Sequence, residues 1–197
     1  VITLPTEPAP SNVAPQLLDF GMILRPGTGA PPVRINRTGT RWQAQFTLPA
    51  MTTATARLFQ ARLARAKAEG LRMPWPLLGV PQGAPGVAVV NGTGAAGTSL
   101  PLRGLSRGYR VLEGYWLNVV DAAGQIYLHQ AAARADAASD GTATLAVWPP
   151  LRAVLADGSA VQLAKPEIMG LVTSDVGWEL PVNRVISGLT FTVEESA

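Results

Sequence analysis

Apolar residues in this chain are interrupted every few positions by glycine, proline or charge, and that punctuation limits the fold more than any motif does. No window approaches the roughly 20 apolar residues of a membrane span, so no membrane insertion is expected. With 20 Gly and 17 Pro among 197 residues, the composition is that of a turn-rich β protein. Hydrophobic residues at 47% are enough for a real core, in one large domain or two small ones. The opening stretch VITLPTEPAPSNVAP has neither a basic head nor an apolar run of signal-peptide type, so export by that route is not expected. Zero Cys excludes disulfides and thiolate metal sites, and the single His129 speaks against a His-rich zinc or iron site.

Residues 1–16 are Pro-rich and without periodicity, which reads as an extended arm, either frayed or ordered against a neighbouring subunit. LLDFGMIL places Leu18, Phe20, Met22 and Leu24 on one face of a strand that ends at Arg25-Pro26-Gly27. Val33 and Ile35 then alternate with Arg34 and Asn36. After a Gly-containing turn at Arg37 to Thr40, Trp42, Ala44, Phe46 and Leu48 alternate with Arg41, Gln43, Gln45 and Thr47, the clearest period-two pattern in the chain. The period changes next. Thr52 or Thr53 can cap a helix that runs over 53–69 and stops at Gly70. Phe59, Leu63 and Ala66 share one face, with Arg57, Arg62 and Arg65 on the other. That basic face is either solvated or an interface, with an acidic partner subunit or phosphate opposite; Leu58 among the arginines favours the interface.

MPWPLLGVPQGAPG excludes a regular element and marks a crossing between domains. Short strands at Val87 to Val90, Ser99 to Leu102, Tyr109 to Leu112, Tyr115 to Val120, Gln125 to Gln130, Thr142 to Trp148 and Ala160 to Leu163 predict a small all-β barrel or sandwich, with no helical stretch longer than the Ala-rich 131–138. The chain returns at Glu167, and a last strand alternates Leu189, Phe191 and Val193 with Thr190, Thr192 and Glu194. Charge follows the same division. Residues 1–76 carry nine Lys/Arg against three Asp/Glu (+6), 77–166 carry six against five (+1), and 167–197 one against five (−4). The complementary ends suggest one discontinuous domain with a second inserted, and argue against a dedicated nucleic-acid-binding arm.

Nothing in the sequence selects an active site. Gly92, Gly94 and Gly97 spell GxGxxG after VAVV, but the following TSLPLRG holds Pro101 and Gly104 and cannot supply the helix that a phosphate-binding turn requires. The residues favour a β loop. His129 in QIYLHQ reads as a surface or hydrogen-bonded strand residue, and ADAASDGTA around Asp136 and Asp140 as a turn, one carboxylate short of a calcium loop. Trp42, Trp116 and Trp148 sit in strand patterns and are read as core before any stacking platform. No cofactor or metal is expected.

Five segments in order, Arg37 to Leu63, Val89 to Gly104, Val111 to Val120, Asp140 to Arg152 and Asp175 to Glu195, resemble the distal tail proteins of long-tailed, non-contractile bacteriophages (siphophages) and related prophages. The resemblance runs from about Leu17 to Glu194, and its specificity lies in the series. It implies a mainly β protein with one main α-helix: a tail-tube-like β-sandwich or barrel domain that makes a ring, formed by 17–76 and 167–197, plus an inserted small β-barrel, OB-like, at 77–166. It further implies a virion structural protein and not an enzyme. Such a protein is a hexameric ring at the tail tip, assembled in the bacterial host cytoplasm, with the tail tube on one side, the baseplate hub on the other, and a channel through which DNA passes without specific binding.

In such a ring, Arg34, Asn36, Arg41, Gln43, Gln45, Thr190 and Thr192 are candidates for the channel face, and Arg57, Leu58, Arg62 and Arg65 for the contact between subunits. A polar lumen lets a charged polymer slide, whereas bare arginines would hold phosphate. Arg34 and Arg41 are therefore expected to pair with acids of a neighbour or with Glu179, Glu194 or Glu195. The alternative is a carbohydrate- or nucleic-acid-binding module of a tail tip or baseplate, and a cell-wall hydrolase is a third reading. The +1 charge of 77–166 argues against the nucleic-acid form.

Overall fold

The computed structural model describes residues 1–77, 79–176, 185–186 and 188–196. In chain order the elements are β1 (Ile2–Thr3), β2 (Asn12–Leu18), β3 (Met22–Leu24), β4 (Val33–Ile35), β5 (Arg41–Thr47), β6 (Met51–Thr52), α1 (Thr53–Glu69), β7 (Leu71–Pro74) and β8 (Gly86–Val90). There follow β9 (Ala95–Leu105), β10 (Arg110–Val111), β11 (Trp116–Val120), β12 (Ile126–Ala131), β13 (Ala135–Asp136), β14 (Ala143–Leu155), β15 (Val161–Gln162), β16 (Glu167–Val172), β17 (Val185–Ile186) and β18 (Thr190–Glu195). At 48% strand and 9% helix, the protein is mainly β with one helix, as the punctuation of the sequence predicts.

The first sheet has the order β1-β7-β16-β18-β5-β2 and draws its strands from both ends of the chain. Among the described residues only its β1–β7 pair is parallel. Period-two alternation puts Ala44 and Phe46 of β5 and Phe191 and Val193 of β18 on one face, in register as Phe46↔Phe191 and Ala44↔Val193. Helix α1 covers that face with Ala56, Phe59, Leu63 and Ala66, all at most 1% exposed. Fully burying Phe59 and Leu63 contributes ~1.5–3 kcal/mol each. The helix starts where Thr52 accepts a hydrogen bond from the Thr55 backbone N–H, and stops at Gly70. There φ is 79° and the glycine N–H closes on Ala66 O at 2.9 Å. Where β16 crosses β18, Gly170 lies against the Glu194 carbonyl so closely that any Cβ would collide with backbone.

The second sheet, β15-β11-β12-β14-β9-β8, is antiparallel and nearly closes into a barrel. Its two edge strands meet through the Val89↔Ala160 bridge and the Val90 N–H to Ser159 O bond at 2.9 Å. Inside it Val90, Leu100, Leu102, Leu117, Val119, Leu145 and Val147 form a second core. The longest strand, β14, shifts register past Pro149 and Pro150, which lets it bend along β9.

Several expectations are corrected. Residues 1–16 are not a free arm: β1 pairs with β7, and β2 pairs with β5 from Asn12 to Leu18. Proline hid this strand, yet β2 is an edge, where a missing N–H costs least. The run from Leu17 to Leu24 is not one strand. Asp19 accepts the Gly21 N–H at 2.8 Å and turns the chain, so Leu18 ends β2 while Met22 to Leu24 pairs with Val33 to Ile35 as a separate hairpin. Phe20, Met22 and Leu24 are exposed and not on a core face. The 131–138 stretch is not helical, because Ala135 and Asp136 pair with Val111 and Arg110. Met73 and Pro74, read as part of the crossing, belong to β7.

Candidate functional site

Two regions gather polar side chains: the uncovered face of the first sheet, and the seam between that sheet and the barrel.

On the uncovered face, alternation aims Arg41, Gln43 and Gln45 of β5 away from α1, with Thr190, Thr192 and Glu194 of β18 beside them. Register sets Thr192 opposite Gln45 and Glu194 opposite Gln43 on one side, and Ala14 and Gln16 of β2 opposite Gln45 and Gln43 on the other. The result is an open trough of about 430 Å³ lined by Ala14, Pro15, Gln16, Gln43, Gln45 and Thr192. Its charges cancel in pairs. Arg41 Nε donates to Glu194 Oε1 at 2.9 Å, and Arg72 Nη2 donates to Glu167 Oε2 at 2.6 Å on the neighbouring strands.

Five of the seven residues expected on one face therefore come together: Arg41, Gln43, Gln45, Thr190 and Thr192. Arg34 and Asn36 do not. They sit on or beside the β3–β4 hairpin, where Arg34 Nε donates to Asn36 Oδ1 at 2.8 Å and the same guanidinium pairs with Asp19. Asp19 was not among the acids expected for Arg34, whereas Glu194 was among those expected for Arg41. Glu179 lies outside the described residues.

On the helix, Arg57 and Leu58 are exposed. Arg62 Nη1 donates to Thr3 O at 2.8 Å, and Arg65 holds Glu69 through two bonds at 2.9 and 3.0 Å, so these two are engaged within the chain.

The seam was not found from sequence. Trp116 of the barrel packs between Trp42 and Trp75 of the first core, edge-on to the first and tilted to the second, with ring centroids 4.8 and 4.7 Å apart. Below them Glu195, 1% exposed, accepts the Leu128 N–H of β12 at 2.6 Å and the Trp42 N–H of β5 at 3.2 Å. One carboxylate thus grips both sheets. Arg152 Nη2 lies 2.5 Å from Glu195 as an ion contact, and its guanidinium sits 5.1 Å from the Tyr127 ring centroid. Burial pushes the Glu195 carboxyl up to about 7, opposed by Arg152 and by the two backbone donors. Gln82 works from the crossing segment: its Nε2 donates to Trp116 O at 2.6 Å and to Leu163 O, while its Oε1 accepts the Trp116 N–H at 2.6 Å. One signal for Glu195 was legible. It stands two residues past Val193, on the inward side of the alternation, where a carboxylate needs a partner.

The remaining candidates fall into structural roles. Gly92 and Gly94 adopt φ of 95° and 79° in a loop that leads into β9, where Gly97 has φ 72°, and Gly92 N–H bonds Asp157, the partner of Arg103. His129 is 1% exposed with Nδ1 2.8 Å from Pro149 O, and burial lowers its pKa to about 4. Asp136 pairs with Arg110 and Arg134, and Asp140 closes a turn on Thr142. Trp42, Trp116 and Trp148 are half-buried. Among the described residues no helix is long and apolar enough to cross a membrane, and no group of three or more His, Asp or Glu could hold a metal. No protein-family model and no curated protein matches the chain.

Proposed function

We propose that this chain is the repeating subunit of a ring at the distal end of a siphophage tail, joining the tail tube to the tip and leaving a channel for DNA. The observation that carries this reading is the uncovered sheet face. An open sheet with one face under a helix must give its other face to water or to a partner. Here the trough at its centre is lined by glutamine, threonine, Ala14 and Pro15, with Leu171 singly exposed beside Glu194, and Arg41 and Arg72 are each neutralised by a carboxylate. Turned inward in a cyclic assembly, it makes a hydrated, nearly neutral wall that offers DNA neither a dry adhesive patch nor bare guanidinium. The finer fold belongs to the same reading: a tail-tube-like first domain, and an OB-like inserted barrel, here with six strands where the OB fold has five.

Light scattering over a concentration range, followed by negative-stain images, tests this. A closed ring near six copies with an open centre is expected; a defined dimer, or a monomer at every concentration, overturns it.

A second reading, a carbohydrate-binding module, draws on an open cleft of about 380 Å³ between the crossing segment and the barrel, where Glu113 and Tyr115 meet Leu77 and Val80. Tyr115 and Trp116 both line this cleft, but Trp116 is half-buried and packed against Trp42 and Trp75 in the seam, which leaves Tyr115 as the freer ring for a sugar. A glycan array scores the two readings against each other.

A further inference from the structure

Six large apolar side chains stand exposed in one place. Phe20, Met22, Ile23, Leu24, Val33 and Ile35 are each 44–57% exposed. They belong to the β3–β4 hairpin and its root, a two-stranded sheet of three residue pairs with no third strand among the described residues. A hairpin of that size is marginal in water by itself. Its root is nonetheless fixed: Asp19 accepts the Gly21 N–H and pairs with Arg34, and Arg41, already bonded to Glu194, lies 4.7 Å from the Phe20 ring centroid. The arm is therefore held in one direction with its apolar sides bare. Its tip, Arg25-Pro26-Gly27-Thr28-Gly29, carries no large apolar side chain. A wedge entering lipid needs an apolar tip, whereas apolar flanks suit a protein lying alongside.

The same chain offers a receptor. Leu4, Pro8, Pro10, Leu48, Phe59 and Met73 line an apolar cavity of about 210 Å³ between the first residues and α1, room for one or two aliphatic side chains. Strand β2 separates the two features. The cavity lies before Asn12 and the arm leaves after Leu18, so seven residues at roughly 3.4 Å each keep the arm from its own cavity. Charge agrees with the match: Glu7 beside the cavity and Arg25 at the tip of the arm are exposed and enter no salt bridge among the described residues.

We propose that the β3–β4 arm of one copy of this chain docks in the cavity between residues 4–10 and α1 of the next copy, with Arg25 facing that copy's Glu7. Plug and socket at opposite ends of one strand make a head-to-tail contact, which closes into a ring or runs on as a fibre. The inference rests on the ring reading above and names the surface that joins its subunits.

The chain has no cysteine, so single cysteines report contacts without background. Ile23→Cys and Ala9→Cys are purified separately, mixed and oxidised, and the linked peptides are mapped by mass spectrometry. The docking predicts mixed disulfides that join position 23 of one copy to position 9 of another. It also predicts that Ile23→Asp, at an exposed site that leaves the circular dichroism unchanged, raises the concentration needed for assembly roughly tenfold or more. Bonds only between two copies of position 23, no mixed bonds at the highest attainable concentration, or loss of binding to anionic lipid vesicles as the sole effect of Ile23→Asp each overturn it. Closed rings that ignore Ile23→Asp sink the docking and spare the ring reading. Mixed bonds in open filaments do the reverse.

Discussion

The two sheets of this chain have the same number of strands and treat their edges in opposite ways. The barrel brings β8 back to β15 through Val89 and Ala160 and so keeps few free peptide groups. The first sheet stays open, with β1 and β2 as edges, one face under α1 and the other bare. Closure makes a unit that is complete alone, while openness leaves an edge and a face for others. The seam joins a finished object to an unfinished one, and Glu195 is a buried side chain that belongs to both.

The largest expected effect tests that joint. Above about pH 7, where the Glu195 carboxyl is ionised, Glu195→Ala leaves Arg152 buried without its counter-charge and two backbone donors unsatisfied, and should cost ~3–5 kcal/mol in urea unfolding. The double variant Glu195→Leu with Arg152→Met should recover most of the loss, since the pair itself contributes little net stability once desolvation is counted. A small effect of the single variant would mean that the seam is wet. Next come two substitutions that separate the sheets. Leu117→Ala hollows the barrel core and should cost ~2–5 kcal/mol. Gly170→Ala forces β16 off the Glu194 carbonyl in the first sheet, at a cost of ~1–3 kcal/mol or more. If hydrogen exchange shows each variant loosening only its own sheet, the two are separable; if both loosen together, the seam makes them one cooperative unit.

A smaller effect comes from pH. Glu195 is raised to about 7 when folded, so its contribution is full below the ordinary carboxylate value and is lost as pH rises toward 7. His129 is lowered to about 4, so its contribution is full above its ordinary value of 6.5 and is lost as pH falls toward 4. Between about pH 4.5 and 6.5 the two oppose each other, and stability should be nearly flat. Glu195→Gln removes one side of that balance, and unfolding free energy should then fall by about 1.4 kcal/mol per pH unit across the window as pH is lowered. An unchanged slope would show that the carboxyl does not titrate there. The smallest effect is at the bare face, where Gln45→Ala should change stability by no more than ~0.5 kcal/mol.

The sequence made some of this visible. Alternation from Arg41 to Thr47 and from Leu189 to Val193 identified two strands and their inward residues, because a half-buried strand writes its environment in every second position, and the structure pairs them. Helix α1 was bounded by its own chemistry at Thr52 and Gly70. Strand β2 was not legible, since an edge strand that contains proline lacks a clear period. The arm misled for a related reason: alternation at Phe20, Met22 and Leu24 marks a face but not what covers it. The partners of Glu195 and Gln82 come from distant strands, and no local pattern announces them.

Gln82 has a consequence for how such a chain can vary. Its side-chain amide donates and accepts as a peptide group does, tying Trp116 to Leu163 where β11 and β15 no longer reach each other. A single residue serves as a strand one unit long. The crossing is pinned again just beyond it, where Ala84 and Pro85 accept from Ser106 Oγ and N–H, so a linker of different composition keeps the barrel in place if it preserves the amide at position 82 and these two carbonyls.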